Sequence, residues 1–506
     1  MAMNREQAID AVRSILGGAR ADESIRLDQI AEAMKPWTPT QAVNLLAAQG
    51  RSEEPVVGMK WRSHTNFLPL VVGTYSQAMK IDNYLASDTK DTAKVPWEWW
   101  QRNRMDARQT GIIRSALKYG IAYTSILPSL NPLSRNPEPG AFIRCLSPRQ
   151  LTCMYGEPIE WTPGETPVDD DWPIMALEIK DYAIRLYDES KVHFIGAKMV
   201  PESGLGWSDP TYNKAENFEY IESREHGVGV CPIVRFRDKW ELDGEEQYGI
   251  VEPLLSIQSA INETEYNKGA AEYFTAFIQR WVTGWRPRDE EQALQMSAGD
   301  VWYFSKDNVK VGQFQQGDLK NYIESGGAKR LDLAAVAQLP PHALGLSQLV
   351  NISEATLAAL ETGKKRNTGE MQTSLGESFE QMFRTCAHVV GDQKSAEDFA
   401  SEAKWADLTA RTMAETIDAL GKMNTMLNVP EDILYEDIPG KTKAWVDRVI
   451  KLRDELAEKA KKEFLENGGL PRPGPDDADE ADDEPAPPGV NGQQPTQPPR
   501  PLPVGE

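Results

Sequence analysis

Three groupings in this 506-residue chain carry residue types that chemistry uses: Gly440-Lys441-Thr442, five histidines, and the basic run Lys364, Lys365 and Arg366. The first has the ending of a phosphate-cradling loop, whose opening glycine stands five places before the second. That position is Tyr435, and no apolar strand precedes it, so a helix-capping turn is expected instead. His64, His193, His226, His342 and His388 are scattered without HxxxH or HxH spacing, so a metal site would need the fold to gather them. GxSxG and HExxH are absent. Asp476 to Glu484 holds seven carboxylates in nine residues but lacks the glycine turn and spacing of a calcium loop, and reads as a solvated tail. Cys145, Cys153, Cys231 and Cys386 show no CxxC pair, which suits small buried hydrophobes in a reducing compartment. No enzyme, cofactor or metal is expected. The basic triplet has two readings: a solvated helix face, the ordinary fate of a charge run, or an electrostatic contact with phosphate inside a channel.

Charge and composition narrow the class. The formal net charge is −22, and residues 470–506 hold eight carboxylates against Arg472 and Arg500, so the rest of the chain is acidic too. Such a surface argues against tight wrapping of nucleic acid, which needs Lys and Arg to displace counterions. It leaves open a channel through which DNA passes without sticking. Hydrophobic residues make up 40% of the chain and include fourteen tryptophans, enough for several packed regions at this length. No apolar run approaches the ~20 residues of a membrane span, and the first twenty residues read as an amphipathic helix with no signal peptide. A soluble chain with no membrane partner is expected.

The elements that must position these residues follow from hydrophobic period. Short helices are predicted over residues 4–50, then a stronger one from Thr65 through Phe67, Leu70, Val71, Tyr75 and Met79, and another from about Trp97 to Tyr119 with Gly120 as its terminator. Strands are predicted at 121–127, 141–146, 151–155, 174–180, 183–187 and 231–236. Beyond Gly249, Val251, Leu254, Ile257 and Ile261 set a helix to about Tyr273. Strand-like runs at 277–282, 301–304 and 309–314 form a small β module, and 319–338 is helical again, though Gly326 and Gly327 weaken it by about 1 kcal/mol each and suggest a break or bend. Leu339-Pro340-Pro341 stops that helix. The loop to Ile352 carries no full charge besides whatever fraction of His342 is protonated, and Ser353 with Glu354 caps a long helix reaching to about Val390. That helix has an apolar stripe at Met371, Leu375, Phe379, Met382 and Cys386, and Gly363, Gly369 and Gly376 predict a kink. Two further helices, through Leu408 to Met423 and Trp445 to Phe464, form an all-α cap, and the chain from Pro471 is expected to be disordered.

In this order, the local sequences resemble those of the phage portal proteins of the SPP1 type. The stretches that carry the likeness are Asn66-Phe67-Leu68-Pro69-Leu70-Val71-Val72 through Lys80-Ile81-Asp82, Gly249-Ile250-Val251-Glu252-Pro253-Leu254 to Asn262, and Gln279-Arg280-Trp281-Val282-Thr283-Gly284. Leu339-Pro340-Pro341-His342 and Asn351-Ile352-Ser353-Glu354-Ala355 complete the collinear set.

The resemblance implies an α+β, mainly α fold: an elongated subunit that assembles into a ring, usually of twelve. Its parts would be a wing (residues 1–248), a first stem helix (249–274), a clip (275–318), a second stem helix (319–338) and a tunnel loop (339–352). A long kinked wing helix (353–399), a helical crown (400–468) and an acidic tail (469–506) would follow. It implies a virion protein at the portal vertex, assembled in the host cytoplasm, through which double-stranded DNA is packaged and ejected. Implied partners are other copies of the chain, the terminase large subunit, a head–tail adaptor, and the major capsid and scaffolding proteins. Candidate channel-lining residues are His342, Ser347, Gln348, Asn351, Lys364, Lys365 and Arg366, and candidate clip contacts are Trp285, Arg286 and Arg288. The alternatives are another structural ring of the connector or a packaging enzyme; the enzyme would need clustered carboxylates or a true Walker sequence.

Overall fold

Asn4 starts the first helix by a reciprocal cap: its side chain accepts from the Gln7 N–H while the Gln7 side chain accepts from the Asn4 N–H. Helix α1 (Arg5–Gly17) is followed directly by α2 (Ala19–Met34), with the break at Gly18, in the stretch where the sequence predicts short helices. The structure, a computed structural model, describes residues 3–36, 60, 62–87, 94–130, 139–156, 172–241, 248–276, 280–284, 309–313, 319–346, 354–406, 413–435, 437–438, 441 and 443–466. The chain divides into two units, residues 1–419 and 420–506.

In the first unit α3 (Leu68–Gln77) leads to β1 (Ile81–Leu85). The predicted helix from Trp97 to Tyr119 is two helices, α4 (Lys94–Arg102) and α5 (Met105–Tyr119), because Arg104 adopts a left-handed φ of 56° between them. Gly120 ends α5 as expected, at φ 84°, donating to the Ala116 carbonyl at 2.7 Å. Strands β2 (Ile121–Leu130), β3 (Pro139–Leu146), β4 (Leu151–Tyr155), β5 (Pro173–Lys180), β6 (Ala183–Tyr187), β7 (Lys191–Ala197), β8 (Phe218–Glu225) and β9 (Ile233–Arg237) follow. They build two antiparallel sheets, ordered β3-β2-β9 and β4-β5-β6-β7-β8. The six predicted strands are present, their starts within two residues of the expected ones; β7 and β8 are additions to them, β8 being hard to read because four of its eight residues are charged.

One buried carboxylate ties the sheets together. Glu178 on β5 is 3% exposed and meets Arg144 of β3, at 3.0 Å on Oε2 with a second bond on Oε1, Arg185 of β6 at 3.1 Å, and the Tyr187 hydroxyl at 2.6 Å. A second buried group, His193, sits between Asp188 Oδ2 and the Tyr220 hydroxyl, each at 3.0 Å. This resembles a catalytic dyad, but His193 is 0% exposed and no substrate can reach it. It fixes the β6–β7 hairpin, where Asp188 also accepts from the Ser190 and Lys191 N–H groups.

Asp238, just beyond β9, is the opposite case. Its backbone N–H donates to Gly120 O at 3.3 Å, while both carboxyl oxygens are buried without a well-formed hydrogen bond among the described residues. Burial pushes its pKa well above the ordinary range; the Lys239 charge and the nearby N–H groups of Lys239 and Asp238 pull down more weakly. A raised folded-state pKa stabilises below the unfolded value and loses that stability as pH rises through the folded one. Asp238→Asn is therefore expected to raise the unfolding midpoint at pH 7 and to gain less at pH 4, as thermal melts at the two pH values will show.

After β9 comes α6 (Leu255–Ala276), preceded by a 3-10 turn at Glu252–Leu254; then β10 (Arg280–Thr283), β11 (Lys310–Gln313) and α7 (Lys320–Val336). Strands β10 and β11 pair antiparallel, and the predicted strand at 301–304 lies outside the described residues. Helix α7 is unbroken through Gly326 and Gly327, so the break those glycines suggest is absent. A Cβ on Gly326 would lie 3.5 Å from Glu265 Oε1 and 3.9 Å from Thr264 on α6, ordinary contact distances, so Gly326 faces α6 at a point where alanine would also fit. Lys329 locks them, donating to Ala260 O at 3.2 Å and to the Thr264 hydroxyl. Because Thr264 faces Gly326 and Ala260 faces Lys329, the pair is antiparallel.

Helix α8 (Glu354–Val390) runs uninterrupted past Gly363, Gly369 and Gly376. Its predicted stripe is the centre of the core: Met371, Leu375, Phe379, Met382 and Cys386 are at most 2% exposed. Around it Tyr84 stacks on Phe383 at 4.2 Å, Trp100 on Phe383 at 5.3 Å, and Phe236 meets Phe379 edge-on at 4.8 Å. After α9 (Gln393–Ala396), β12 (Glu402–Trp405) pairs antiparallel with β1. Residues 402–405, expected at the head of an all-helical cap, are thus a strand of the first unit.

Helix α10 (Met413–Leu427) crosses the boundary between units. Within the second unit α11 (Glu431–Tyr435) precedes α12 (Lys443–Glu466), and Arg453 reaches back to Asp432, with Nη2 at 3.2 Å from Oδ2. The predicted stripe on α12 is present but open: Leu452, Leu456 and Phe464 are 49%, 64% and 54% exposed. The tail beyond 466 lies outside the described residues. The fold is α+β and mainly helical.

Candidate functional site

The end of α7, the turn after it and the first half of α8 bring several sequence-selected residues together. Gln338 takes a left-handed φ of 52°, and the Leu339 N–H closes back on Ala334 O at 2.9 Å, so the helix stops before the two prolines. Pro341–Leu344 form a 3-10 turn that ends at Gly345, φ 72°, whose N–H donates to His342 O. The turn is anchored by Leu339 and Leu344, both buried.

Tyr75 of α3 holds this junction. Its hydroxyl donates to Ala337 O at 2.7 Å and accepts from Asn367 Nδ2 at 3.1 Å, tying α3, α7 and α8 at one buried atom. Burial raises the Tyr75 pKa, with the Asn367 bond opposing it, so the phenol stays protonated.

His342 Nε2 lies 3.2 Å from Glu361 Oε1, and Glu361 Oε2 lies 3.5 Å from Lys364 Nζ. His342 Nδ1 has no partner among the described residues. The basic triplet therefore splits. Lys364 is half-buried in an ion pair, while Lys365 and Arg366 are exposed with no ion pair among the described residues. The Glu361–Lys364 spacing of three on a helix is readable in the sequence. Ser347, Gln348, Asn351, Trp285, Arg286 and Arg288 lie outside the described residues.

The start of α6 is bolted to the body by contacts between segments distant in the chain. Ile250 N–H donates to Leu117 O at 2.9 Å, and a Cβ on Gly249 would fall 2.5 Å from that same oxygen. Arg26 of α2 reaches Glu252 at 3.1 Å and Tyr119 O at 3.4 Å. Gln258 is buried, accepts from Phe67 N–H at 2.9 Å and donates to Thr65 O at 2.7 Å. No spacing rule links positions so far apart in the chain. The base of the helix pair is thus fixed to the body.

Among the described residues there is no cluster of three or more metal-ligating side chains, and no helix is long and apolar enough to cross a membrane. Lys441, of the loop-like triplet, sits over the Trp445 ring at 4.9 Å.

Among curated protein sequences, none matches this chain. Solved structures similar to it include the neck of an empty gene transfer agent (GTA) particle computed with C6 symmetry, at 12% identity and TM-score 0.40, covering 78% of this chain and 93% of that one. The virion of a native GTA particle is similar at 13% identity and TM-score 0.40, with 79% and 99% covered, and the neck of a native GTA particle computed with C12 symmetry at 11% and 0.38, with 80% and 95% covered. The family model for the phage portal protein, SPP1 Gp6-like, matches residues 50–463, most of the chain's length. This chain belongs to the SPP1 Gp6-like family of phage portal proteins.

Proposed function

We propose that the chain is the subunit of a ring, of twelve copies, set at one vertex of a phage capsid, through which double-stranded DNA is packaged and ejected. The observation that carries this reading is the antiparallel pair α6 and α7, held at its base by Gly249, Arg26 and Gln258 and leading at its other end into the β10–β11 pair. A stalk of this kind closes no core of its own, and identical stalks around an axis make a channel wall.

In this reading residues 1–248 with α8 form the wing, α6 and α7 the stem, 275–318 the clip and 339–352 the tunnel loop. The crown begins after β12, since that strand pairs within the wing. His342 and Lys364 are both drawn to Glu361, which leaves Lys365 and Arg366 as the cations of the triplet to meet phosphate. A channel must hold DNA loosely, because each fixed cation that neutralises a phosphate adds affinity and so friction. An acidic body with few free cations near the loop meets that requirement. ATP hydrolysis then belongs to a separate terminase, and the clip residues, with Trp285, Arg286 and Arg288, meet the terminase large subunit and a head–tail adaptor. The capsid and scaffolding proteins contact the ring during assembly in the host cytoplasm.

Negative-stain microscopy of the purified protein is the test. Annuli with a central hole are expected; particles that stay monomeric both alone and with scaffolding protein would overturn the reading.

A further inference from the structure

The exposed face of α5 is a row of cations in an acidic protein. Arg108 and Arg114 are exposed and Lys118 half-buried, all three within one third of the helix circumference at 100° per residue, and the exposed Arg104 stands at the N-cap. Ala107, Gly111 and Ser115 stand between them, small enough for a partner to come close. The only acid in the helix is Asp106, on another face, where it accepts from Trp100 Nε1 at 2.8 Å. The row spans about 21 Å at 1.5 Å per residue.

A solvated face is the ordinary fate of charged helix residues, and two observations set this one apart. First, the row is not neutralised. The Lys118 pKa is lowered by burial and by the charges of Arg149 and Arg114, and no carboxylate offsets them. Arg104, Arg108 and Arg114 make no ion pair among the described residues; Arg108 instead donates to Ile143 O and Arg114 to the Ser76 hydroxyl. Second, Arg104 stands at a φ of 56°, a conformation that glycine or asparagine adopts with less strain.

An acidic counterpart lies on α8. Glu370 and Glu377 are exposed and Glu380 half-buried on one face of that helix, over about 15 Å, with Arg366 and Arg384 at the two ends of the same face. Glu402 of β12 adds a fourth carboxylate: the Glu380 pKa is raised by burial, and by the charges of Glu377 and Glu402, against the weaker pull of the Ala403 N–H and Arg384. One chain thus carries an unneutralised basic row and an acidic row on different elements.

We infer that the basic face of α5 docks on the Glu370–Glu380 face of α8 in a second copy of the chain. Two molecules of net charge −22 repel unless their orientation puts these faces together, so the contact selects a single relative pose. Because the two patches differ, the contact is head-to-tail, the kind that repeats from copy to copy and closes into a ring. This deepens the ring reading and rests on it for closure, not for the pairwise contact. Duplex DNA is the other polyanion that could occupy the α5 row, but it would approach against the acidic body, whereas a second copy brings its own carboxylates.

The test uses the full chain in three variants: Arg108→Glu with Arg114→Glu, Glu370→Lys with Glu377→Lys, and all four together. Sedimentation at low salt reads self-association with or without ring closure, and melting curves confirm the fold. Each double variant is expected to need at least about tenfold more protein to associate, since like charges face each other; the fourfold variant should recover most of that loss. Wild-type association should weaken as salt rises. Double variants that associate like wild type, or a fourfold variant with no recovery, would overturn the inference, as would unchanged assembly with loss of duplex binding. Salt-sensitive association without annuli would leave the contact standing and remove the ring; a wild type with no association at any salt removes both.

Discussion

Gly249→Ala is expected to destabilise the first unit by on the order of 3 kcal/mol or more, at the upper end of what overpacking costs. The new Cβ would lie 2.5 Å from Leu117 O, 2.6 Å from Lys118 C and 2.6 Å from Lys118 O. All three are backbone atoms of α5, so no side chain can swing aside. Relief must come from moving the start of α6 away from α5, which breaks the 2.9 Å bond from Ile250 N–H to Leu117 O and shifts Glu252 from Arg26. Denaturant unfolding will measure the loss. Gly73→Ala is the control: the residue sits within α3, where an added Cβ would meet nothing within 4 Å, and alanine there should stabilise by about 0.5–1 kcal/mol through lost backbone entropy. If the ring exists, annuli should disappear in the first variant and persist in the second.

Glu178→Gln is expected to cost about 2–4 kcal/mol. The carboxylate is 3% exposed, and its loss leaves Arg144, Arg185 and the Tyr187 hydroxyl facing a neutral amide. The figure is below the extreme for a buried pair because Arg144 and Arg185 are 28% and 36% exposed and regain some hydration. Burial alone pushes the Glu178 pKa up, but the hydrogen bonds from Arg144 and Tyr187 and the charges of Arg144 and Arg185 outweigh it and hold the carboxyl below its usual range. A depressed folded-state pKa stabilises above the unfolded value and is lost as pH falls through the folded one. The gap between wild type and variant should therefore be widest at neutral pH and narrow in acid below the ordinary glutamate range. An unfolding series from pH 7 to pH 3 that shows a constant gap would mean the clamp contributes by shape and not by charge.

Helix burial is legible from local spacing alone. The stripe Met371, Leu375, Phe379, Met382, Cys386 is predicted residue by residue and lies at the centre of the core, because a period of three and four puts those side chains on one face whatever they pack against. The same rule finds the stripe on α12, yet Leu452, Leu456 and Phe464 stay open to solvent in the single chain. The basic row on α5 obeys the same period and is equally readable. Strand β8 escapes the pattern because an exposed edge strand with four charges lacks the alternation that marks a half-buried one.

By itself the sequence determined most of the helices and strands, the family, and the want of a nucleotide or metal motif, since each of these rests on residues near one another in the chain. Only the tertiary structure decided where Gly326 sits: read alone it weakens a helix, and in the fold it is buried against Thr264 and Glu265 of α6 without breaking α7. It also divided the triplet, drawing Lys364 to Glu361 and leaving Lys365 and Arg366 exposed. It joined Glu178 to Arg144, and Gly249 to Leu117, across 34 and 132 positions. Such contacts depend on where the chain returns in space, and the free energy that brings it back is spread over the whole core.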